Sequence, residues 1–183
     1  MPARKESWGP FAERLAAAGF GSLAIDLRGH GESDGGPDGY KRFSDVEHQA
    51  SRLDVDVAVR YLLDAGYAEV SLAGASIGAN LALQSLAGRS EAHAAIALSA
   101  GLNYHGIETL PLVRSLRPDS RVYFVAAKDD TRSGGPSDEM AQKLYGECAC
   151  RKSLKIFETG GHGTDILSHH PDFMGELISW LSE

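Results

Sequence analysis

Hydrophobic residues in the first third of the chain change from helical spacing to a short continuous run and back again. The first helical face consists of Trp8, Phe11, Leu15 and Ala16. Gly19 follows it and is a typical helix stop signal. The run SLAIDL at 22–27 is short and apolar, which predicts a buried strand. A second helical face predicts one long helix that ends near Gly66, and it consists of Val46, Ala50, Leu53, Val57 and Tyr61.

The same exchange of patterns continues to the end of the chain. Strands are predicted at 69–73, 94–99, 121–127 and 153–157, and helices at 81–86, 140–145 and 173–181. This alternation is typical of parallel strands joined by crossover helices. The sequence therefore predicts an α/β fold with a mostly parallel central sheet and helices on both faces. One domain, 1–183, is expected, with only a short cap-like excursion at about 101–118. Its ligand site should lie beyond the carboxyl ends of the strands.

Charge and composition argue against nucleic-acid-binding, membrane-spanning and disulfide-rich proteins. A net charge of −7 and a pI near 5.5 argue against a nucleic-acid partner, because neutralising phosphates takes clustered Lys and Arg. No apolar run approaches the ~20 residues of a membrane span and no signal peptide is visible, so no membrane association is expected. The two cysteines, Cys148 and Cys150, are too few for a disulfide framework or a zinc site. We expect a reducing, cytoplasmic setting.

The pentapeptide GASIG at 74–78 joins a predicted strand to a predicted helix and fits the pattern G-x-S-x-G. A turn this sharp lifts a serine hydroxyl clear of the sheet, and small neighbours let the strand and helix approach each other. Ser76 is therefore a candidate nucleophile, and the backbone N–H of Ile77 is a candidate oxyanion donor. The alternative interpretation is a tight glycine-rich turn without a chemical role.

A serine hydroxyl is a poor nucleophile until a base takes its proton, and His162 is the strongest candidate among the seven histidines. It lies in the glycine-rich loop 160–163, directly after a predicted strand. From there an imidazole can reach across the carboxyl edge of the sheet to Ser76. The alternative is an exposed histidine in a flexible turn.

An acid must hold that imidazole in the right tautomer and stabilise its charged form. Asp129 and Asp130 both follow the apolar strand that ends at Ala127. We take Asp129 as the acid, with Asp130 as the alternative. The order Ser, Asp, His, with each residue just past a strand, is the order of one hydrolase fold and not of the other serine-protease types.

On these motifs the chain resembles the α/β-hydrolase family, from Trp8 to the terminal helix. DLRGHGES at 26–33 resembles the segment D-x-R-G-x-G-x-S that follows a core strand in esterase-like members. GASIG, VAAKDD and GGHGTDIL resemble the nucleophile elbow, the acid turn and the histidine loop of the family. The resemblance implies a triad of Ser76, Asp129 and His162, as in small dienelactone-hydrolase-like or peptidase-like serine esterases.

The sequence differs from the family pattern at its N-terminal end. Family members have several strands before the first helix, and one of them is central in the sheet and ends in an H-G dipeptide that supplies a second oxyanion donor. No such segment is found between Met1 and Trp8, so the comparison predicts an N-terminally truncated hydrolase. The predicted strands at Ile25 and Leu72 should then lack their shared neighbour and leave backbone groups unpaired.

The implied reaction is hydrolysis of a small carboxylic ester through an acyl-enzyme, with a small-molecule acyl substrate and no cofactor or metal. Two alternatives stay open: a thioesterase or peptidase that uses the same triad, and a non-catalytic hydrolase-like fragment or binding domain. A homo-oligomer also stays open, because an exposed sheet edge can drive self-association.

Overall fold

Four parallel strands form the central sheet of the computed structural model, which describes residues 4–132 and 134–183. In spatial order they are β1 (Val70–Ala75), β2 (Ala92–Leu98), β5 (Arg121–Ala127) and β6 (Arg151–Phe157). Each neighbouring pair is parallel. The apolar run AHAAIAL of β2 is almost entirely buried, as expected for a strand covered on both faces. The predicted α/β class is therefore confirmed.

Helices cover both faces of this sheet. In chain order they are α1 (Gly9–Ala17), α2 (Asp45–Ala50), α3 (Arg52–Asp64), α4 (Ile77–Gly88), α5 (Thr109–Arg114), α6 (Ser137–Glu147), α7 (Asp165–His169) and α8 (Phe173–Leu181). Alternate residues of β2 belong to two different core clusters, as the pleat of a strand requires. Ala95 and Ala97 pack on the side of α4 and α6, whereas Ile96 and Leu98 pack on the side of α1, α7 and α8. None of the helices in the described part of the chain is long and apolar enough to cross a membrane.

The predicted long helix is two helices, α2 and α3, that meet at Ser51. The backbone of Ser51 stays helical (φ −60°, ψ −16°), and Ser44 begins α2 with a capping box that includes Glu47. The predicted apolar face lies on the outside, because Val46, Val57 and Tyr61 are 74%, 69% and 64% exposed. The face that is turned inward carries Val59, which is 2% exposed.

The segment 22–27 was expected to be a buried strand, and in the structure it is not one. It is extended and exposed or half-buried, and Leu23 is 41% exposed. Within the described ranges this segment pairs with no strand. A strand between it and β1 would be its partner, and none is present there. A run of apolar residues becomes a strand only when a neighbour accepts its backbone hydrogen bonds.

The excursion at 101–118 contains a two-stranded hairpin, β3 (Asn103–Tyr104) with β4 (Ile107–Glu108), followed by α5. The buried side chain of Asn80 on α4 fastens it: Nδ2 donates to the carbonyl of Ile107, and Oδ1 accepts from the N–H of Gly101. The excursion is therefore held against the helix that begins directly after Ser76.

Candidate active site

Ser76 is the single residue between β1 and α4, and its backbone is strained. Its φ is 56° and its ψ is −122°, in a region that residues with a side chain rarely occupy. Its own N–H donates to the carbonyl of Leu98 at 2.9 Å, which ties the turn to β2. Ile77 starts α4, so its N–H is among the first-turn donors that have no acceptor within the helix. This turn presents a hydroxyl and an unused N–H at the carboxyl edge of the sheet.

The two glycines that flank Ser76 are not equivalent. A Cβ on Gly74 would lie 2.0 Å from the carbonyl oxygen of Gly78, so only glycine lets β1 pass this close to the first turn of α4. A Cβ on Gly78 would meet no atom within 4 Å. The close approach that the motif predicts therefore depends on its first glycine.

We expect Gly74→Ala to destabilise the fold by about 2–4 kcal/mol, because the clash is with backbone that cannot move aside cheaply. Gly78→Ala should leave the stability unchanged or raise it by about 0.5–1 kcal/mol, since alanine is the better helix former. Urea unfolding of both variants, followed by circular dichroism, measures the difference. Equal midpoints for the two variants would contradict this account of the turn.

His162 lies in the loop between β6 and α7, where its side chain is 17% exposed. Its Nδ1 is 2.9 Å from both carboxylate oxygens of Asp130, whose side chain is fully buried. Gly163 packs the loop against the nucleophile turn, because a Cβ placed there would be 3.1 Å from the Cβ of Ala75. The loop is thus held between the acid and the residue that precedes Ser76.

The carboxylate that contacts His162 is that of Asp130, whereas the sequence analysis preferred Asp129. Asp129 instead accepts the backbone N–H groups of Gly160 and Gly161, each at 3.0 Å to its Oδ1. The two acids lie in the turn that follows β5, where the N–H of Asp130 donates to the carbonyl of Ala127, and their carboxylates reach different partners. Asp129 shapes the glycine-rich loop, and Asp130 orients the ring that the loop carries.

Asp130 stays ionised although it is buried. Burial alone would raise its pKa, but hydrogen bonds from His162, Ser99 and the backbone N–H of Arg132 outweigh that effect and lower the pKa below its usual range. A carboxylate beside Nδ1 makes that nitrogen the protonated one. Nε2 is then left with a free lone pair, which is the form that a general base needs.

Ser99 is a site residue that the sequence analysis did not identify. It directly follows β2, has a positive φ of 52° and is fully buried. Its Oγ accepts the N–H of Gly163 at 2.9 Å and its hydroxyl hydrogen-bonds to Asp130. A polar residue just past a central strand, at the edge that already carries Ser76 and Asp130, was the signal for it. Ser99 locks the acid and the histidine loop to each other.

Ser76, Ile77 and His162 line one cavity of about 720 Å³. Tyr104 of the excursion and His30 also line it, and the His30 ring stacks on Tyr40 with the ring centroids 4.3 Å apart. The structure therefore gathers three of the predicted site residues around one space and puts Asp130 behind His162. In the described ranges, no group of three or more His, Cys, Asp or Glu side chains is arranged to hold a metal ion.

Comparison with known families places the chain in a family of hydrolases. The family described as serine aminopeptidase, S33, matches residues 6–122, which include Ser76 and the loop at 26–33. A comparison with curated proteins gave no match.

Solved structures share the fold at low sequence identity. The monoacylglycerol lipase of Paleococcus ferrophilus superposes with a TM-score of 0.78 at 16% identity, over 97% of this chain and 89% of that one. The Pyrococcus furiosus esterase Pf2001 gives 0.76 at 20% identity, over 95% and 75% of the two chains. The acylaminoacyl peptidase of Pyrococcus horikoshii gives 0.67 at 13% identity, over 87% and 31%.

Proposed function

The chain belongs to the serine aminopeptidase, S33, family of α/β-hydrolases, and on that premise we propose that Ser76, His162 and Asp130 form a triad that hydrolyses a small carboxylic ester. The observation that carries the proposal is the contact of His162 Nδ1 with a buried, ionised Asp130, on a loop packed against the turn of Ser76. The strained serine and the oriented imidazole line the same cavity.

In the first step, Nε2 of His162 takes the proton of the Ser76 hydroxyl while Oγ bonds to the ester carbonyl carbon. The carbonyl π electrons move to its oxygen, and the N–H of Ile77 stabilises the resulting oxyanion. Collapse of this intermediate breaks the bond to the alkoxy group, and His162 gives its proton to the departing alcohol. Asp130 stabilises the imidazolium that exists in between.

Water then repeats the sequence on the acyl-enzyme. His162 takes a proton from the water, whose oxygen bonds to the acyl carbon. Collapse of the second intermediate returns the proton to Ser76 Oγ and releases the carboxylic acid. Every proton moves through His162, and no step needs a redox partner.

The walls of the site favour a small acyl group. The excursion contributes only a short hairpin and α5, held close to α4 by Asn80. Its Tyr104 ring is half-buried beside Ile77, where an acyl chain would lie next to the oxyanion donor. Among the structural neighbours, an esterase and a monoacylglycerol lipase are named for acyl ester chemistry.

Peptide hydrolysis by the same residues is the second candidate. The matching family is described as a serine aminopeptidase, and one structural neighbour is an acylaminoacyl peptidase. An amide needs its leaving nitrogen protonated as the bond breaks, which His162 could do in the same position. Thioesters need less assistance, because a thiolate is a better leaving group.

A panel of chromogenic substrates tests the proposal, with acetyl, butyryl and octanoyl p-nitrophenyl esters beside a matched thioester and an aminoacyl p-nitroanilide. We expect the highest kcat/KM for the acetyl or butyryl ester and at least about a hundredfold lower value for the anilide, a difference of ~3 kcal/mol in barrier. An anilide that is cleaved faster than the esters would establish the peptidase. No turnover of any substrate, in a folded protein, would support a non-catalytic domain.

A further inference from the structure

The loop that carries His162 is held at its start by side chains and not by backbone hydrogen bonds. It spans residues 158–164 between β6 and α7, and three of them are glycines. Within the described ranges, residues 159–161 take part in no backbone–backbone hydrogen bond. Glycine has the widest choice of backbone conformations, so a loop of this composition follows one path only if other groups hold its N–H and C=O groups.

Asp129 holds the N–H groups of this loop but cannot hold its carbonyl groups. Its Oδ1 accepts from the N–H groups of Gly160 and Gly161, each at 3.0 Å. A carboxylate only accepts hydrogen bonds, so the carbonyl oxygens of Thr159 and Gly160 need donors from another part of the chain. Gly160 is buried, and a buried carbonyl group without a donor costs stability.

Two adjacent histidines supply these donors. Nδ1 of His169, the last residue of α7, lies 2.9 Å from the carbonyl oxygen of Gly160. Nε2 of His170, the next residue, lies 2.6 Å from the carbonyl oxygen of Thr159. A carbonyl oxygen only accepts, so each of these ring nitrogens carries a proton. Because a neutral imidazole has a single N–H, the neutral forms of His169 and His170 are opposite tautomers.

Further contacts fix the ring of His170. It stacks on Phe157, the last residue of β6, with the ring centroids 3.9 Å apart and the ring planes inclined by 14°. The backbone N–H of His170 donates to the carbonyl of Ile166 in α7 at 2.9 Å. The His170 ring thus connects the strand that enters the loop, the loop itself and the helix that leaves it.

We propose that His169 and His170 are positioning residues for the triad: together with Asp129 they clamp the loop and fix the place from which His162 takes the proton of Ser76. The inference rests on the proposed function, since it concerns the base of that triad. Neither histidine lines the cavity of Ser76, so both act through the loop backbone and do not touch the substrate. A base displaced by about 1 Å can cost about a hundredfold in rate.

Reciprocal amide substitutions test which nitrogen is needed at each position. The amide nitrogen of asparagine is attached to Cγ and can replace Nδ1, whereas that of glutamine is one carbon further out and can replace Nε2. His169→Asn and His170→Gln keep the donor, and each should lower kcat for p-nitrophenyl butyrate by no more than about threefold. His169→Gln and His170→Asn displace the donor, and each should lower kcat by about tenfold or more, with KM within about twofold of the parent.

The four variants are controls for one another, because each amide is the better substitute at one position and the worse one at the other. A role in stability alone would lower the urea midpoint and leave kcat of the folded protein unchanged. A general effect of removing an imidazole would make asparagine and glutamine equivalent at both positions. The crossed pattern in kcat, at equal urea midpoints, is expected only if the two ring nitrogens hold the loop.

Two further measurements do not depend on turnover. The amides of Gly160 and Gly161 should exchange with deuterium at least about tenfold faster in His169→Gln than in His169→Asn, because the loop opens more often. Long-range proton–nitrogen NMR correlations on the parent should show the proton on Nδ1 of His169 and on Nε2 of His170 above about pH 8, where an ordinary imidazole is neutral.

Equal kcat values for the asparagine and glutamine variants at both positions would overturn the proposal. So would the same tautomer at His169 and His170, or exchange of the loop amides that no variant changes. Failure of the proposed triad gives a different result: the parent would then cleave no ester and take no fluorophosphonate label. In that event the tautomers and the exchange rates still show whether the two histidines hold the loop, so the two failures are seen separately.

Discussion

Ser76→Ala should abolish covalent labelling by a fluorophosphonate and lower kcat for ester hydrolysis by about 10⁵-fold. In the labelling reaction, Ser76 Oγ bonds to phosphorus, fluoride leaves and His162 takes the hydroxyl proton. Alanine has no atom that can form this bond, and loss of the nucleophile of a triad typically costs about 10⁵–10⁶ in turnover. Gel fluorescence after labelling and initial rates on p-nitrophenyl butyrate measure the two effects.

The matched control is Ser99→Ala, a second serine at the same edge of the sheet. Ser99 holds the loop of His162 and the carboxylate of Asp130 and is not the proposed nucleophile. Its variant should therefore still be labelled, at a rate reduced by about tenfold, since a positioning contact of ~1 kcal/mol is lost. Labelling that persists in Ser76→Ala and disappears in Ser99→Ala would reverse the assignment of the nucleophile.

Much of the fold could be predicted, because the hydrophobic periodicity indicates the strands and helices and the motif indicates the turn between them. The strands β2 and β5 are continuous apolar runs, and burial on both faces is what such runs indicate. The position of Ser76 followed from the glycines around it, and Gly74 does carry the close contact of strand and helix. These features depend on residues close together in the chain.

The features that could not be predicted depend on partners distant in the chain. SLAIDL has the apolar pattern of a strand, but among the residues that the structure describes no strand lies beside its backbone. Val57 and Tyr61 share an apolar face, yet α3 turns Val59 inward, and periodicity alone does not state which of two apolar stripes is covered. Ser99 is a further case, because its contacts come from the loops that carry Asp130 and Gly163.

The choice between the adjacent residues Asp129 and Asp130 also depends on partners that are distant in the chain. Both follow β5 at the right edge, and no propensity separates adjacent aspartates. What separates them is the path of the loop after the strand. It directs Asp130 into the buried space under His162 and Asp129 toward the N–H groups of Gly160 and Gly161. That path depends on the fold of the 160–163 loop, which is 30 residues further on in the sequence.

Asp130→Asn and Asp129→Asn should therefore have very different effects on catalysis, although the two changes are chemically identical and adjacent. An amide at position 130 can donate to Nδ1 and so stabilise the tautomer whose Nε2 carries the proton, which cannot act as a base toward Ser76. We expect kcat to fall by about 10⁴-fold, the cost of such a change in a serine triad. At position 129 an amide oxygen can still accept an N–H of the loop, so we expect a loss of about tenfold or less.

The pH dependence of stability tests the ionised state of Asp130 separately from its role in catalysis. The pKa of Asp130 lies below its usual range in the folded protein, so its carboxylate contributes stability that is present above the unfolded-state pKa and is lost as pH falls through the folded-state value. Asp130→Asn removes that contribution, so its unfolding free energy should change less than that of the parent between pH 6 and pH 3. Urea titrations at several pH values, run beside Asp129→Asn and the parent, measure it. Equal losses of kcat in the two variants, or a larger loss in Asp129→Asn, would return the catalytic role to Asp129 and leave Asp130 as a buried structural partner of His162.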